Sequence, residues 1–302
     1  MEGMNGYRIF QFGDDFQYTK ERITLTGKRT KVLVDVGGSK AILKYPPLNY
    51  NTSEISSEKI AYELAKELGF ECARVELAQG EDGTMGILNF LFTAPPKVTH
   101  TDAGAYLRTA DFNSRSSFYT LSNIKRVLDD IEGSLFSDFV RIAIFDALIG
   151  EQDRHEDNWG ILNDNGILRI SPLYDNGCSL VRDFADENKI AEYESGKKRF
   201  DDYINRSRTL FYKEPETLVE GESGHYKHFE LIDRLIEDYP ELAKDALFAI
   251  ASLSNESIKD IVVRIPTQLL TEQHKAYIIR YIVTRKQKLI EKMHKIRNKE
   301  ND

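Results

Sequence analysis

Two stretches of the chain hold acids, an amide and a histidine at spacings that suit phosphoryl transfer: LIGEQDRHEDNWGIL at 148–162 and LRISPLYDNGCSL at 168–180. That chemistry asks for one carboxylate to orient or deprotonate an attacking hydroxyl. It also asks for an amide oxygen and a second carboxylate to hold Mg²⁺ against a triphosphate. Asp153, Asn158 and Asp175 are residues of those types. Magnesium takes hard oxygen ligands and keeps several waters, so one Asn and one Asp suffice. Asn158 follows Asp153 by five positions, so one loop can serve both tasks, and Asp175 follows seventeen positions after Asn158, which is room for one hairpin. Taken singly, an Asp or Asn in a Gly-rich loop is more often a cap or a turn residue. Order, spacing and flanking apolar strands together favour the chemical reading.

These residues need elements to position them. The apolar-faced run SDFVRIAIFDALIG predicts a helix ending at Gly150, from which a polar loop presents Asp153, Arg154, His155 and Asn158. A short hairpin, GIL, NDNG and then ILRISPLYD, leads on to Asp175. Upstream, residues 7–46 alternate apolar and polar in the runs YRIFQF, RITLT, TKVLVDV and KAILKY, which predicts a meander of strands. Gly37-Gly38 supplies the positive φ of a tight hairpin turn and puts Lys44 at the end of its second strand. SEISSEKIAYELAKELG carries Ile55, Ile60, Leu64 and Leu68 at helical spacing and stops at Gly69. RVELAQ and MGILNFLF read as a second hairpin around Gly80-Glu81-Asp82-Gly83. Ala94-Pro95-Pro96 then breaks the ladder, so a lobe boundary falls near Phe92-Thr93. Helical periodicity returns at 227–238, 240–253 and 269–297, while 183–226 is charge-rich and aperiodic, predicting long loops.

Composition narrows the classes. At 302 residues, 41% hydrophobic and 30% charged, the chain is an ordinary globular protein with no internal repeat. A formal net charge of −8 offers no global basic field, so neither direct nucleic-acid binding nor attraction to an anionic membrane is expected. Cys72 and Cys178 suit buried thiols better than a disulfide framework and cannot make a Cys-rich zinc site. The opening MEGMNGYRIFQFGDD has no basic region followed by an apolar run, and no stretch approaches the roughly 20 apolar residues that span a bilayer. The expectation is a cytoplasmic protein, with export by a route lacking a cleaved signal left open.

The run IFDALIGEQDRHEDNWGIL together with SPLYDNGCSL resembles the catalytic and metal-binding loops of HipA-like kinases, bacterial toxin kinases that phosphorylate proteins on serine or threonine. It is most similar to their short branch of CtkA-type and HipT-type proteins, which lacks the full-length HipA N-terminal subdomain. The resemblance implies Asp153 as catalytic base, Asn158 and Asp175 as Mg²⁺ ligands, and His155 as a loop-organising residue rather than a general base. AILKYP resembles the strand bearing the ATP-contacting lysine, here Lys44. SEKIAYELAKELGF resembles the helix that supplies its carboxylate partner, here Glu58. TLTGKRTKVLV would cover the phosphates with backbone amides of Gly27 to Thr30 and the charges of Lys28, Arg29 and Lys31. It matches neither GxGxxG nor GxxxxGK[ST], which argues against a Walker-type NTPase. MGILNFLF would pass behind the adenine, with backbone groups near Asn89, Phe90 and Leu91 reading its edge.

The implied fold is α+β, a bilobal protein-kinase-like arrangement with a strand-rich lobe at 1–93, a helical lobe at 94–302, and ATP with Mg²⁺ between them. The implied activity is transfer of the γ-phosphate to a serine or threonine of a protein, a translation component such as an aminoacyl-tRNA synthetase being one such substrate. No DNA-binding antitoxin domain is fused, so an antitoxin partner would be separately encoded. A counterpart of the regulatory phosphoserine loop is not evident, and the Ser53, Ser56 and Ser57 cluster is the available substitute. Two rivals remain. Phosphoinositide or small-molecule kinases carry a similar Asp-Arg-His loop, but follow the second acid with Phe-Gly where this chain has Asn176-Gly177, and the net charge of −8 disfavours an anionic membrane. A pseudokinase acting as a binding module would lack a phosphate or metal group, whereas Lys44, Asp153, Asn158 and Asp175 are all present.

Overall fold

The structure is a computed structural model and describes residues 6–19, 31–46, 53–108, 114–180, 187–196, 198–218 and 223–299. Strands β1 (Ile9–Gln11), β2 (Gln17–Tyr18), β3 (Lys31–Val36), β4 (Ser39–Lys44), β5 (Val75–Gln79) and β6 (Met85–Phe90) form one sheet in the order β1-β5-β6-β4-β3-β2. This corrects the meander expected for 7–46: β1 runs parallel to β5 at one edge, while β2 pairs antiparallel with β3 at the other. The link from Gln11 to Gln17 reaches at most about 21 Å when fully extended, so the two edges must curl toward each other. Phe16 on that link fills the curl and packs with Val34, Ala41, Leu43, Ala78 and Leu88 in a small core of its own. The run RITLT lies outside the described residues.

The opposite face of the sheet carries Ile42, Lys44, Ile87 and Asn89, since successive strand residues alternate sides. Against this face lies α1 (Ser53–Glu67), with Ile55, Ile60 and Leu64 buried. The β3–β4 turn uses Gly37 at φ 59° and Gly38 at φ 88°, the paired positive values of a two-residue hairpin. It sets Lys31 opposite Lys44.

Strands β7 (Val98–Asp102), β8 (Gly160–Asp164) and β9 (Ile167–Ile170) make a second, three-stranded sheet. Around it stand α2 (Ala103–Leu107), α3 (Arg115–Phe118), α4 (Leu121–Ile131) and α5 (Leu135–Ile149). Helix α5 is apolar on nearly every side and accordingly sits at the centre of the main core, with Val140, Ile144, Phe145 and Leu148 fully buried. Beyond it come α6 (Glu187–Glu194), α7 (Phe200–Arg206), β10 (Arg208–Tyr212) and β11 (His225–Lys227). The long loops expected at 183–226 are therefore replaced in part by two short helices and a strand pair. Elements this short bury only one or two anchors each, such as Ile190, Ile204 and Phe211, too few to register as a period.

The chain closes with α8 (His228–Asp238), α9 (Pro240–Ser252), α10 (Asn255–Val263) and α11 (Glu272–Lys299). Helix α10 is an addition to the expected set. Ser254 caps it by accepting from the Ser257 amide, and Ile258, Ile261 and Val262 form its buried stripe. Among the described residues no helix is long and apolar enough to cross a membrane.

Candidate active site

Helix α5 ends at Gly150, whose φ of 71° reverses the chain. A Cβ there would also stand 1.9 Å from the Tyr281 hydroxyl, so glycine is required by both conformation and space. The loop that follows is tied to itself at each step. The Asp153 amide donates to Glu151 Oε1 at 2.8 Å and the His155 amide to the Asp153 carbonyl at 2.8 Å. Asn158 Nδ2 donates to that same carbonyl at 2.8 Å, which leaves the oxygen end of its side chain for a ligand. His155 Nδ1 accepts from the Asp157 amide at 3.2 Å, a further tie within the loop.

Arg154, expected on the presented loop, is instead 2% exposed and forms its hub. Its Nε and one Nη grip Asp146 of α5 at 3.0 and 2.8 Å. The remaining N–H groups reach the carbonyls of Asn158 (3.0 Å) and Tyr174 (2.7 Å) and Oδ1 of Asn176 (2.6 Å). All five guanidinium donors thus have acceptors. Burial works against both charges and leaves the Asp146 carboxyl above the usual carboxylate range, while Arg154 opposite pulls it back and Asp146 in turn favours the charged guanidinium. One side chain therefore joins the end of α5, the loop of Asp153 and the loop of Asp175.

That joining holds a strained residue. Asp175 has φ 55°, a left-handed backbone that costs a non-glycine residue free energy unless its surroundings impose it. Here the flanking Tyr174 carbonyl and Asn176 side chain are both held by Arg154, and Ser179 Oγ donates to the Asn176 carbonyl at 2.7 Å. The carboxylate so aimed meets Lys44 of β4: Nζ lies 2.9 Å from Asp175 Oδ1 and 3.2 Å from Glu58 Oε1. Burial alone would lower the Lys44 pKa, but Glu58 and then Asp175 outweigh it and raise it above the ordinary lysine value. Glu58 is 2% exposed and projects from α1.

Two recesses meet here. A cleft of about 360 Å³ lies against the sheet and is lined by Lys31, Ile42, Lys44 and Asn89 on one side and by Asn158 and Asp175 on the other. A second recess of about 250 Å³ contains Asp153, His155 and Cys178. Lys31, Asn158 and Asp175 line both. Asp153 thus opens on one side of the Asn158 and Asp175 pair, and Lys44 on the other. Another cavity of about 160 Å³ lies behind this site, between Phe70, Ile142 and Leu173, and shares no residue with either recess.

Not every expected residue converges. Gly27, Lys28, Arg29 and Thr30 lie outside the described residues, and Lys31 is the described member of that group. The N–H groups of Phe90 and Leu91 are spent on the carbonyls of Arg74 and Lys40. The next two residues, Phe92 and Thr93, make no backbone hydrogen bond with any described residue and line the cleft. N–H donors without a described backbone partner therefore begin one residue past Leu91, while the backbone carbonyls of the expected Asn89–Leu91 stretch are not excluded from a ligand by these bonds. Ser53, Ser56 and Ser57 are buried in α1, and Ser57 Oγ donates to the Ser179 carbonyl, so this cluster serves packing and not surface modification. Neither cysteine is in a disulfide, and both are half-buried. Burial pushes the Cys72 thiol up to about 12, and Cys178 S–H points at Asp153 Oδ2 at 3.7 Å.

Several supporting residues escaped sequence reasoning. Glu151 is fully buried, and burial first, then Asp146, pushes its pKa up to about 8 against the pull of Arg154. His228 of α8 lies beneath it, its Nε2 2.7 Å from the Glu151 carbonyl and its Nδ1 2.9 Å from Ser207 Oγ. Since a carbonyl can only accept, Nε2 carries the proton and Nδ1 accepts from the serine. Burial, reinforced by Arg285, lowers the His228 pKa to about 3 and keeps the ring neutral. Asp146 did leave a signal, an acid inside the otherwise apolar IFDALIG. His228 left none, because its partners are 21 and 77 residues away.

Comparison with known proteins gives the family and the fold. The family model described as HipA-like C-terminal domain matches residues 23–250. No curated protein sequence matches the chain. Among solved structures it is similar to the Helicobacter pylori proinflammatory kinase CtkA, at 20% identity over 95% of this chain and 97% of that one, with a TM-score of 0.78. It is similar also to the HipA chain of the Shewanella oneidensis MR-1 toxin–antitoxin complex of HipA, HipB and operator DNA, at 16% identity, covering 92% of this chain and 66% of that one, with a TM-score of 0.53. A third likeness is to hydra Fam20 with sugar, at 15% identity over 99% and 89% of the two chains, with a TM-score of 0.50. Likeness at such identities is likeness of fold, and the fold is α+β and kinase-like.

Proposed function

The chain belongs to the family of HipA-like C-terminal domains, and from that premise we propose that it is an ATP- and Mg²⁺-dependent protein kinase acting on serine or threonine hydroxyls. The observation that carries the proposal is the pair of recesses divided by Asn158 and Asp175. A phosphoryl donor in the larger and a hydroxyl in the smaller would face each other across those two side chains, as in-line transfer requires.

The donor set fits magnesium. Among the described residues no three His, Cys, Asp or Glu side chains could hold a metal by themselves. An amide oxygen and a carboxylate at the cleft match an ion that completes its shell with phosphates and water. Mg²⁺, when bound, supplies positive charge to the phosphate oxygens during transfer. Asn158 and Asp175 would hold it. Lys44, kept charged by Glu58, would donate to the phosphates. Asp153 would accept the proton of the attacking hydroxyl, and its backbone, fixed through Glu151, Arg154 and Asn158, would hold it in line. In this reading residues 1–93 are the nucleotide lobe and 94–302 the catalytic lobe. The protein would act in the cytoplasm, and a separately encoded antitoxin would be its partner, in keeping with the HipB found beside HipA in the Shewanella complex.

Incubating the purified protein with γ-labelled ATP, Mg²⁺ and a bacterial lysate tests this. Label should enter phosphoserine or phosphothreonine of a protein and be absent with Asp153→Ala. Label entering only lipid or small molecules would refute the protein-kinase assignment.

A further inference from the structure

Strand β6 is apolar except for Asn89, and Asn89 lies on the cleft side of the sheet. It stands opposite Ile42, diagonal to Lys44 two residues along β4 and therefore about 8 Å from it. Its neighbours Leu88 and Phe90 turn the other way, into or against the small core around Phe16. Asn89 lines the cleft, and its Nδ2 is buried with no hydrogen-bond partner among the described residues. A buried amide donor left without a partner is costly, and a leucine or valine here would satisfy the strand better. The position thus holds a hydrogen-bonding group that no described residue uses, one nucleoside's reach from the lysine.

We propose that the Asn89 carboxamide reads the N6/N7 edge of adenine and sets the preference for ATP over GTP. The inference rests on the reading above that the cleft holds a nucleoside triphosphate. A carboxamide has an acceptor and a donor side by side. Adenine presents a donor at its 6-amino group and an acceptor at N7, which is the complementary pair. Guanine presents two acceptors there, O6 and N7, so Asn89 Oδ1 would face a second oxygen. The N–H groups of Phe92 and Thr93, which have no backbone partner among the described residues, are then left for the base's opposite edge.

Calorimetry with ATP, 7-deaza-ATP and GTP in Mg²⁺ tests this on the wild-type protein and on Asn89→Leu, a substitution of similar volume. Wild type should bind 7-deaza-ATP about tenfold or more weaker than ATP, the loss of one buried hydrogen bond, with GTP weaker still. Asn89→Leu should bind ATP and 7-deaza-ATP alike, and Asn89→Ser serves if the leucine variant misfolds. Equal wild-type affinities for ATP and 7-deaza-ATP, or a variant that keeps the preference, would overturn the role of Asn89 and leave the nucleotide reading standing. Failure of all three to bind would overturn both.

Discussion

Replacing Arg154 separates what the hub does for stability from what it does for the reaction. Arg154→Met removes five hydrogen bonds and leaves Asp146, itself 2% exposed, as a buried charge without its partner. Breaking one side of such a pair costs about 3–5 kcal/mol, a large share of the roughly 5–15 kcal/mol that holds a domain folded. Adding Asp146→Leu removes the stranded charge, so the double variant should recover most of that stability in urea unfolding. It should not recover turnover, because the Tyr174 carbonyl and Asn176 side chain that impose φ 55° on Asp175 remain unheld. Arg154→Lys is not a conservative change here, since one ammonium cannot reproduce the planar fork. The assays are denaturant midpoints and kcat on protein shown to be folded by circular dichroism. A double variant with wild-type kcat, or Arg154→Lys indistinguishable from wild type, would show that this side chain does not position the loop of Asp175.

Further outcomes follow from the same geometry. Asp175→Asn replaces the one carboxylate of the proposed metal pair and should abolish the Mg²⁺ dependence of ATP binding in calorimetry, and undiminished Mg·ATP affinity would remove Asp175 from that role. Lys44→Ala leaves Glu58 buried without its cation, so it should lower both thermal stability and kcat, the latter by about a hundredfold or more; wild-type turnover would show that Lys44 does not meet the phosphates. Burial raises the folded pKa of Glu151 to about 8 from its ordinary 4.5, so the folded state holds a proton that the unfolded chain releases across that window. Its stabilising contribution is complete below about pH 4.5 and is lost as pH rises through about 8; Glu151→Gln should flatten unfolding stability between pH 5 and 8, and an unchanged slope would show that Glu151 is ionised.

The parts of the site that could be read in the sequence are those encoded by short spacings. Asp153 and Asn158 share one loop, the NDNG turn makes a hairpin, and Lys44 and Glu58 lie on a strand and the following helix, 3.2 Å apart in space. Each depends on local periodicity or turn chemistry. What escaped depends on contacts between distant segments. Nothing in residues 7–18 announces that β1 will cross to β5, because the curl that allows it is built from the later strands. The presented character expected of Arg154 failed because exposure of a polar loop is a good rule only until a buried acid, here Asp146, faces it across the fold. The short elements at 187–212 follow the same logic, their anchors finding partners in helices such as α11, as Phe200 does with Tyr277.

The division of labour between Asp153 and Asp175 is the centre of the account, and one pair of measurements on Asp153→Ala addresses it: Mg·ATP affinity by calorimetry and turnover with a protein acceptor. Asp153 opens into the recess away from Lys44, so its loss should leave affinity within about twofold while lowering kcat by about a thousandfold or more, as expected for an interaction made chiefly in the transition state. Loss of Mg·ATP binding in the folded variant, or turnover equal to wild type, would contradict it.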